Sequence, residues 1–381
     1  MIKLTGCLLV ASLGFSAMAG ADLPVEPIPK SLSLPGTYPE SWVFAQDINY
    51  NTTMLGQFVL LDVAAESKQF KGLFQGGLLA SFAESKQRSE FYVAESFSTR
   101  GHRGERTDVL SIYDKTQLSP KAEVILPGNK RALITPHKGL LQLTRDEKFA
   151  LVFNFTPAGS VSVIDLERRK WVSEVPIPGC TLSFASGQRG FSTLCANGAL
   201  ASFALDDKGQ VLDEAFSQTF NDIDHDPLFM EAATIQGVTY FPSFLGRIQP
   251  IDMSRQPAAV LPAWSLLSPQ AQQAGWRPSG AQPIAANAHE QSLYVLMREN
   301  AVDGNHYAGG QEVWVYDPRK QQRRRRITLQ NPGNAIEITR GKQPYLVVSM
   351  AKGVDVYDAS SGAFLRHIGG QGSFSSLHAS R

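Results

Sequence analysis

The chain is short of the residues and motifs that most enzyme classes depend on. It has three cysteines in 381 residues, too few for a disulfide-dense scaffold. No His-Glu-x-x-His, Gly-x-Ser-x-Gly, Walker loop or Cys-x-x-Cys occurs, so metalloprotease, hydrolase, nucleotide-binding and zinc-finger chemistry lack their carriers. An excess of one charge is missing too. The net charge is +1, whereas nucleic acid or an anionic membrane calls for a sustained basic surface. The apolar N-terminal stretch, residues 4–19, is shorter than the roughly 20 residues that span a bilayer. With Lys3 before it and Ala17-Met18-Ala19 at its end, it reads as an export signal over residues 1–19, cleaved before Gly20, so membrane insertion is not expected.

What is present is a repeat. Residues 161–179, VSVIDLERRKWVSEVPIPG, alternate apolar and polar positions up to Asp165, turn through a charged corner and resume with Trp171, Val172, Val175 and Ile177. That is an antiparallel hairpin. An apolar strand ending in Asp recurs at Asp62, Asp114, Asp165, Asp206, Asp252, Asp317 and Asp358, at intervals of 52, 51, 41, 46, 65 and 41. Two more short strands precede each hairpin. The spacing predicts an all-β fold: a seven-bladed β-propeller of four-stranded antiparallel sheets over residues 41–381. With 43% hydrophobic residues, the chain can bury the core such a ring needs.

The expected inner strands are 77–80, 139–143, 181–184, 230–233, 284–286 and 335–338. The first blade lacks one, because residues 41–44 already read as a second strand. Residues 374–378 have no partner of their own and are expected to complete that blade, closing the ring and removing its sheet edges. A Pro-rich leader, residues 20–40, precedes the ring; Ser-Pro followed by an Ala/Gln run predicts a short helix within 264–275. The basic run 323–326 reads as a solvated outer edge, with an acidic docking partner as the alternative. Once Cys7 leaves with the signal, Cys180 and Cys195 remain on adjacent strands of one hairpin, most simply as a disulfide, with two buried thiols as the alternative.

Chemistry is thinly signalled. Asp224-His225-Asp226 reads as a surface loop rather than a metal site, since three consecutive residues do not face one point. The repeated Asp residues read as caps of the turns that follow them. Glu231 and Glu337 are the carboxylates expected among the inner strands, too few for a metal-dependent propeller hydrolase. Residues 97–108, FSTRGHRGERTD, form a long polar loop between two strands of one blade, and such loops carry binding surfaces. Residues 47–57, DINYNTTMLGQ, form a second, with Tyr50 its only aromatic.

These segments resemble the large subunit of quinoprotein amine dehydrogenases, the methylamine and aromatic amine dehydrogenases. The likeness rests on Arg103-Gly-Glu-Arg-Thr-Asp108 before a strand ending Tyr113-Asp114, on Val161-Ser-Val-Ile-Asp165, on the Cys180 and Cys195 spacing, on Asp226-Pro-Leu-Phe229, on Gly275-Trp-Arg-Pro278 and on Val356-Tyr-Asp-Ala359. It implies a seven-bladed propeller in a periplasmic complex of two large and two small subunits, oxidising primary amines to aldehyde and ammonia. The implied cofactor, tryptophan tryptophylquinone, belongs to the cysteine-rich small subunit, which also supplies the catalytic base. Electrons would leave to a blue-copper protein or a cytochrome. For this chain the resemblance implies Tyr50 in the substrate channel and Arg103, Glu105, Arg106 and Asp108 at the small-subunit interface, with no catalytic residue of its own. The alternative reading is a non-catalytic periplasmic propeller binding a protein or small ligand.

Overall fold

In the strand Trp42–Asp47, successive residues Val43, Phe44 and Ala45 are all buried. A blade inside a propeller has a neighbour on each face, so its inner strands hide both sets of side chains. The computed structural model describes residues 33–49 and 55–381. The export signal, most of the leader and Tyr50 lie outside those residues.

Seven antiparallel sheets follow one another along the chain. The second blade runs Ser81–Glu84, Glu90–Arg100, Arg103–Asp114, Ser119–Leu126 from the axis outward, and the seventh runs Ala335–Ile338, Tyr345–Met350, Gly353–Asp358, Phe364–Ile368. The first blade is built from both ends of the chain. Its inner strand is Ser376–Ala379, paired antiparallel to Trp42–Asp47 with Phe44 opposite His378 and Ala45 opposite Leu377. Gln282 of the sixth blade fixes the closing strand, donating to Leu377 O at 3.1 Å and accepting from Leu377 N at 3.0 Å.

Local chemistry sets the corners. Six of the seven repeated Asp residues end a blade's third strand and Asp206 follows one directly; each accepts a backbone N–H from the turn beyond. Asp114 takes Thr116 N at 2.7 Å, Asp165 takes Arg168 N at 2.8 Å and Asp358 takes Ser361 N at 2.6 Å. The same bond forms at Asp62, Asp206, Asp252 and Asp317. A short carboxylate satisfies donors that the turn would leave unpaired.

Between the first two blades the core is aromatic. Phe58 stacks on Phe74 at 4.7 Å, Phe74 packs on Phe91 at 4.7 Å, and Phe91 stacks on Tyr113 at 4.9 Å. The end of the leader joins them: Tyr38 packs against Trp42 at 5.2 Å and donates to Lys115 O.

The fold departs from the sequence reading in four places. The inner strands of the second, third and fifth blades begin later than expected, at Ser81, Leu141 and Ala233. In the second blade the cause is Leu79, whose φ of 45° turns the chain just before the strand. The fifth and sixth sheets each carry an additional short strand, Trp264–Ser265 and Arg277–Pro278. Between these two lies the expected helix, Pro269–Gln273, with Ser268 Oγ accepting from Ala271 N. Residues 97–108 are not an irregular loop, because the strands Glu90–Arg100 and Arg103–Asp114 stay paired to the tip and turn at Gly101 with φ 72°. The arginines at 323–326 lie on an outer strand but are engaged: Arg324 pairs with Asp317, Arg325 donates to Ala359 O, and Arg326 pairs with Glu312 under the Trp276 and Trp314 rings.

Candidate functional site

Because the strands of a blade are antiparallel, every second-to-third connection lies at the same end of the ring as the links between blades. The loop after Trp42–Asp47 and the hairpin tip at Gly101 are both second-to-third connections, in adjacent blades, so they share that end. The stems of the first loop are pinned. Asp47 accepts Asn49 N at 2.8 Å and Ser373 N at 3.1 Å, and Gln57 donates to Gln371 O at 2.9 Å.

The hairpin has an exposed tip and a rigid base. Arg103 and Glu105 are exposed, whereas Asp108 has no exposed surface. Asp108 accepts from Ser96 Oγ at 2.6 Å, from Arg106 Nε at 2.7 Å and from Arg131 N at 2.9 Å. Arg106 is therefore turned inward, and its guanidinium also reaches Arg131 O at 2.8 Å. Beneath them Arg131 is buried and donates to Ser96 Oγ at 3.0 Å and to the carbonyls of Leu78 and Leu79. Burial pushes the Arg131 guanidinium down to about 10, while Asp108 pulls it back toward the charged form. Glu95 completes the base, accepting from Gly77 N at 2.6 Å and Ser111 Oγ at 2.5 Å; burial raises its pKa. Nothing in the sequence singled out Arg131 or Glu95. Their partners lie in other segments, and no local spacing announces them.

The same end of the ring exposes apolar side chains from six connections, Leu55, Leu133, Phe155, Ile223, Leu245 and Val302, and Phe97 on the arm of the hairpin. Among the described residues, the corner turns at the other end expose no large apolar side chain. A cavity of about 510 Å³ opens between residues 196–198 and 219–224, also on the apolar end. Asp222 and His225 on its rim bond each other at 3.0 Å, whereas Asp226 is buried and pairs with Arg247 at 2.7 Å. The residues 224–226 thus do not converge.

Toward the axis, Glu231 accepts Lys138 N at 3.0 Å and lies 3.3 Å from His137 Nδ1, while Glu337 takes the Lys138 ammonium at 2.6 Å. The Lys138 ammonium is thus paired with Glu337 alone, and Glu231 takes only its backbone N–H. Among the described residues no group of three or more His, Cys, Asp or Glu side chains could hold a metal ion, and no helix is long and apolar enough to cross a membrane. Cys180 and Cys195 face each other across neighbouring strands of the fourth blade and are joined as a disulfide.

The family model for the methylamine dehydrogenase heavy chain matches residues 41–378. The methylamine dehydrogenase heavy chain of Methylorubrum extorquens is 26% identical over 313 residues, covering 81% of this chain and 75% of that protein. Its counterpart from Paracoccus versutus is 26% identical over 330 residues, covering 86% and 76%. Among solved structures, a putative 6-phosphogluconolactonase from Bacteroides fragilis superposes with a TM-score of 0.61 at 10% identity, covering 93% of this chain and 99% of that one. A protein of unknown function from Desulfotomaculum acetoxidans gives 0.59 at 12% identity, covering 88% and 98%. At such identities these two likenesses concern the fold alone.

Proposed function

The chain belongs to the methylamine dehydrogenase heavy chain family, and from that premise we propose that it is the large, quinone-free subunit of a periplasmic amine dehydrogenase. Its substrate is a primary amine, released as aldehyde and ammonia. The complex holds two large and two small subunits, and a blue-copper protein or a cytochrome accepts the electrons. Tryptophan tryptophylquinone on the small subunit supplies the redox chemistry, and this chain supplies the walls and footing around it.

The observation that carries the partner reading is the asymmetry of the ring. One end exposes apolar side chains from six connections and projects the hairpin tip, whereas at the other end, among the described residues, large apolar exposure is confined to the starts of outer strands, Phe70, Val211 and Phe364 among them. An exposed apolar surface of this kind, rimmed by polar residues, is what a protein partner covers. Arg103 and Glu105 on the exposed tip would touch the small subunit directly. Arg106 and Asp108 would act by holding that tip still. Tyr50, in the loop pinned by Asp47 and Gln57, would narrow the substrate channel on the same end.

The test is co-expression with any adjacent small-subunit gene, followed by purification and amine-dependent dye reduction. The expected result is a complex with a visible quinone spectrum that the R103E/E105R variant no longer assembles. A large chain that purifies alone, with no amine-dependent reduction, would refute the proposal and leave a propeller that binds some other protein or ligand.

A further inference from the structure

The opposite end of the ring has a different chemistry. There the inner strands end in their first corners, and four consecutive blades each deliver a basic residue. Arg340 follows Ala335–Ile338, Arg381 follows Ser376–Ala379, Lys86 follows Ser81–Glu84, and Arg145 follows Leu141–Leu143. All four keep surface in water, although neighbouring atoms crowd the head groups of Lys86 and Arg340. Their charges converge: Arg381, Arg340 and Arg145 all act on the single Lys86 ammonium and hold it below its ordinary value, Arg381 most strongly, with burial adding to the effect. Burial likewise lowers Arg340; Glu84 opposes this and Arg381 adds to it.

The carboxylates that could neutralise this arc are largely engaged elsewhere. Glu84 is buried, paired with Lys115 Nζ at 2.7 Å and accepting Arg381 N at 2.7 Å. Glu147, also buried, accepts Lys86 N at 2.8 Å and Ser85 Oγ at 2.5 Å and pairs with Arg88 at 3.7 Å. Glu40 remains at the rim, beside the corner at Gly341, and offsets part of the Arg340 charge. Four basic corners thus stand at one end of the ring with Glu40 the uncommitted carboxylate among them, and Arg145 also reaches Gly237 O of the fifth blade at 3.4 Å. Repulsion among the basic groups is relieved when an anion enters, and the guanidinium fork suits tetrahedral oxyanions.

We propose that this cluster of basic corners binds a small multivalent oxyanion of the phosphate class, held chiefly by Lys86 and Arg340, with Arg145 and Arg381 reinforcing the field. That three arginines act on the one Lys86 ammonium, rather than standing apart along a face, favours a small ion over an acidic protein. The inference is independent of the amine dehydrogenase reading, since it concerns the end away from the apolar surface.

The probe is inorganic phosphate, compared with chloride at equal ionic strength, in melting and calorimetric titrations of the full chain. At a hundredfold excess over its dissociation constant, phosphate should raise the melting temperature by about 4 °C. The K86Q/R340Q variant should bind at least tenfold more weakly. Both side chains keep surface in water, so it should still fold. K352Q, in a second-to-third connection at the other end, should behave as the parent. Equal melting in phosphate and chloride, or a phosphate shift retained in K86Q/R340Q, would overturn the site.

Discussion

Replacing Asp108 by Ala tests whether the hairpin is held by its buried base. The carboxylate is fully buried and accepts from Ser96, Arg106 and the Arg131 backbone, while the Arg131 guanidinium lies buried beside it. Removing the carboxylate leaves the buried Arg131 N–H and the Ser96 hydroxyl without their acceptor, a loss of about 3–5 kcal/mol in sum. For a domain of this size the unfolding entropy is about 0.7 kcal/mol per kelvin, so the melting temperature should fall by about 4–7 °C. Arg106 is the control. Its side chain keeps 24% of its surface in water, so R106M, which keeps the aliphatic stem and leaves Ser96 and Arg131 N on the carboxylate, should lose less than D108A. The assay is thermal unfolding followed by circular dichroism, paired with protease cleavage at the 101–102 turn. A D108A variant melting within about 1 °C of the parent would refute the reasoning, because Arg131 would then not depend on that carboxylate.

Two further outcomes follow from the same geometry. His378, on the closing strand, is held well below its ordinary value, first by burial and then by Lys138 and Arg381. The folded chain keeps it neutral while the unfolded chain takes up a proton below about pH 6.5, so stability is retained above that pH and lost below it, by at most about 1.4 kcal/mol per pH unit. H378N should flatten the acid limb of a stability-versus-pH curve, and an unchanged limb would refute the assignment. C180S/C195S should cost about 3 kcal/mol in the chain-entropy model for a separation of 15 residues. Non-reducing urea titrations check this, and a variant as stable as the oxidised parent would show that the bond is idle.

Local features proved legible where the physics was local. The short Ala/Gln run after Ser268 became a helix because a serine N-cap and Pro269 act within one turn. The polar segment at 97–108 was legible as a projection, but its strand pairing was not, since Phe97 opposite Thr107 is a cross-strand fact that composition does not reveal. The exposed run at 323–326 was recognisable as an outer strand. That Arg326 would stack over Trp276, and that Arg325 would reach Ala359, depended on which strands stood beside it.

The sequence by itself determined the number of blades, the turn caps and the closing strand, because apolar alternation and an Asp at a strand end act over a few residues and repeat. Only the tertiary structure decided which face is apolar, that Asp108 and Arg131 share a buried base, and that Lys86, Arg145, Arg340 and Arg381 stand at one end of the ring. Those residues are tens to hundreds of positions apart, and their electrostatic energy depends on separation in space, which only ring closure sets.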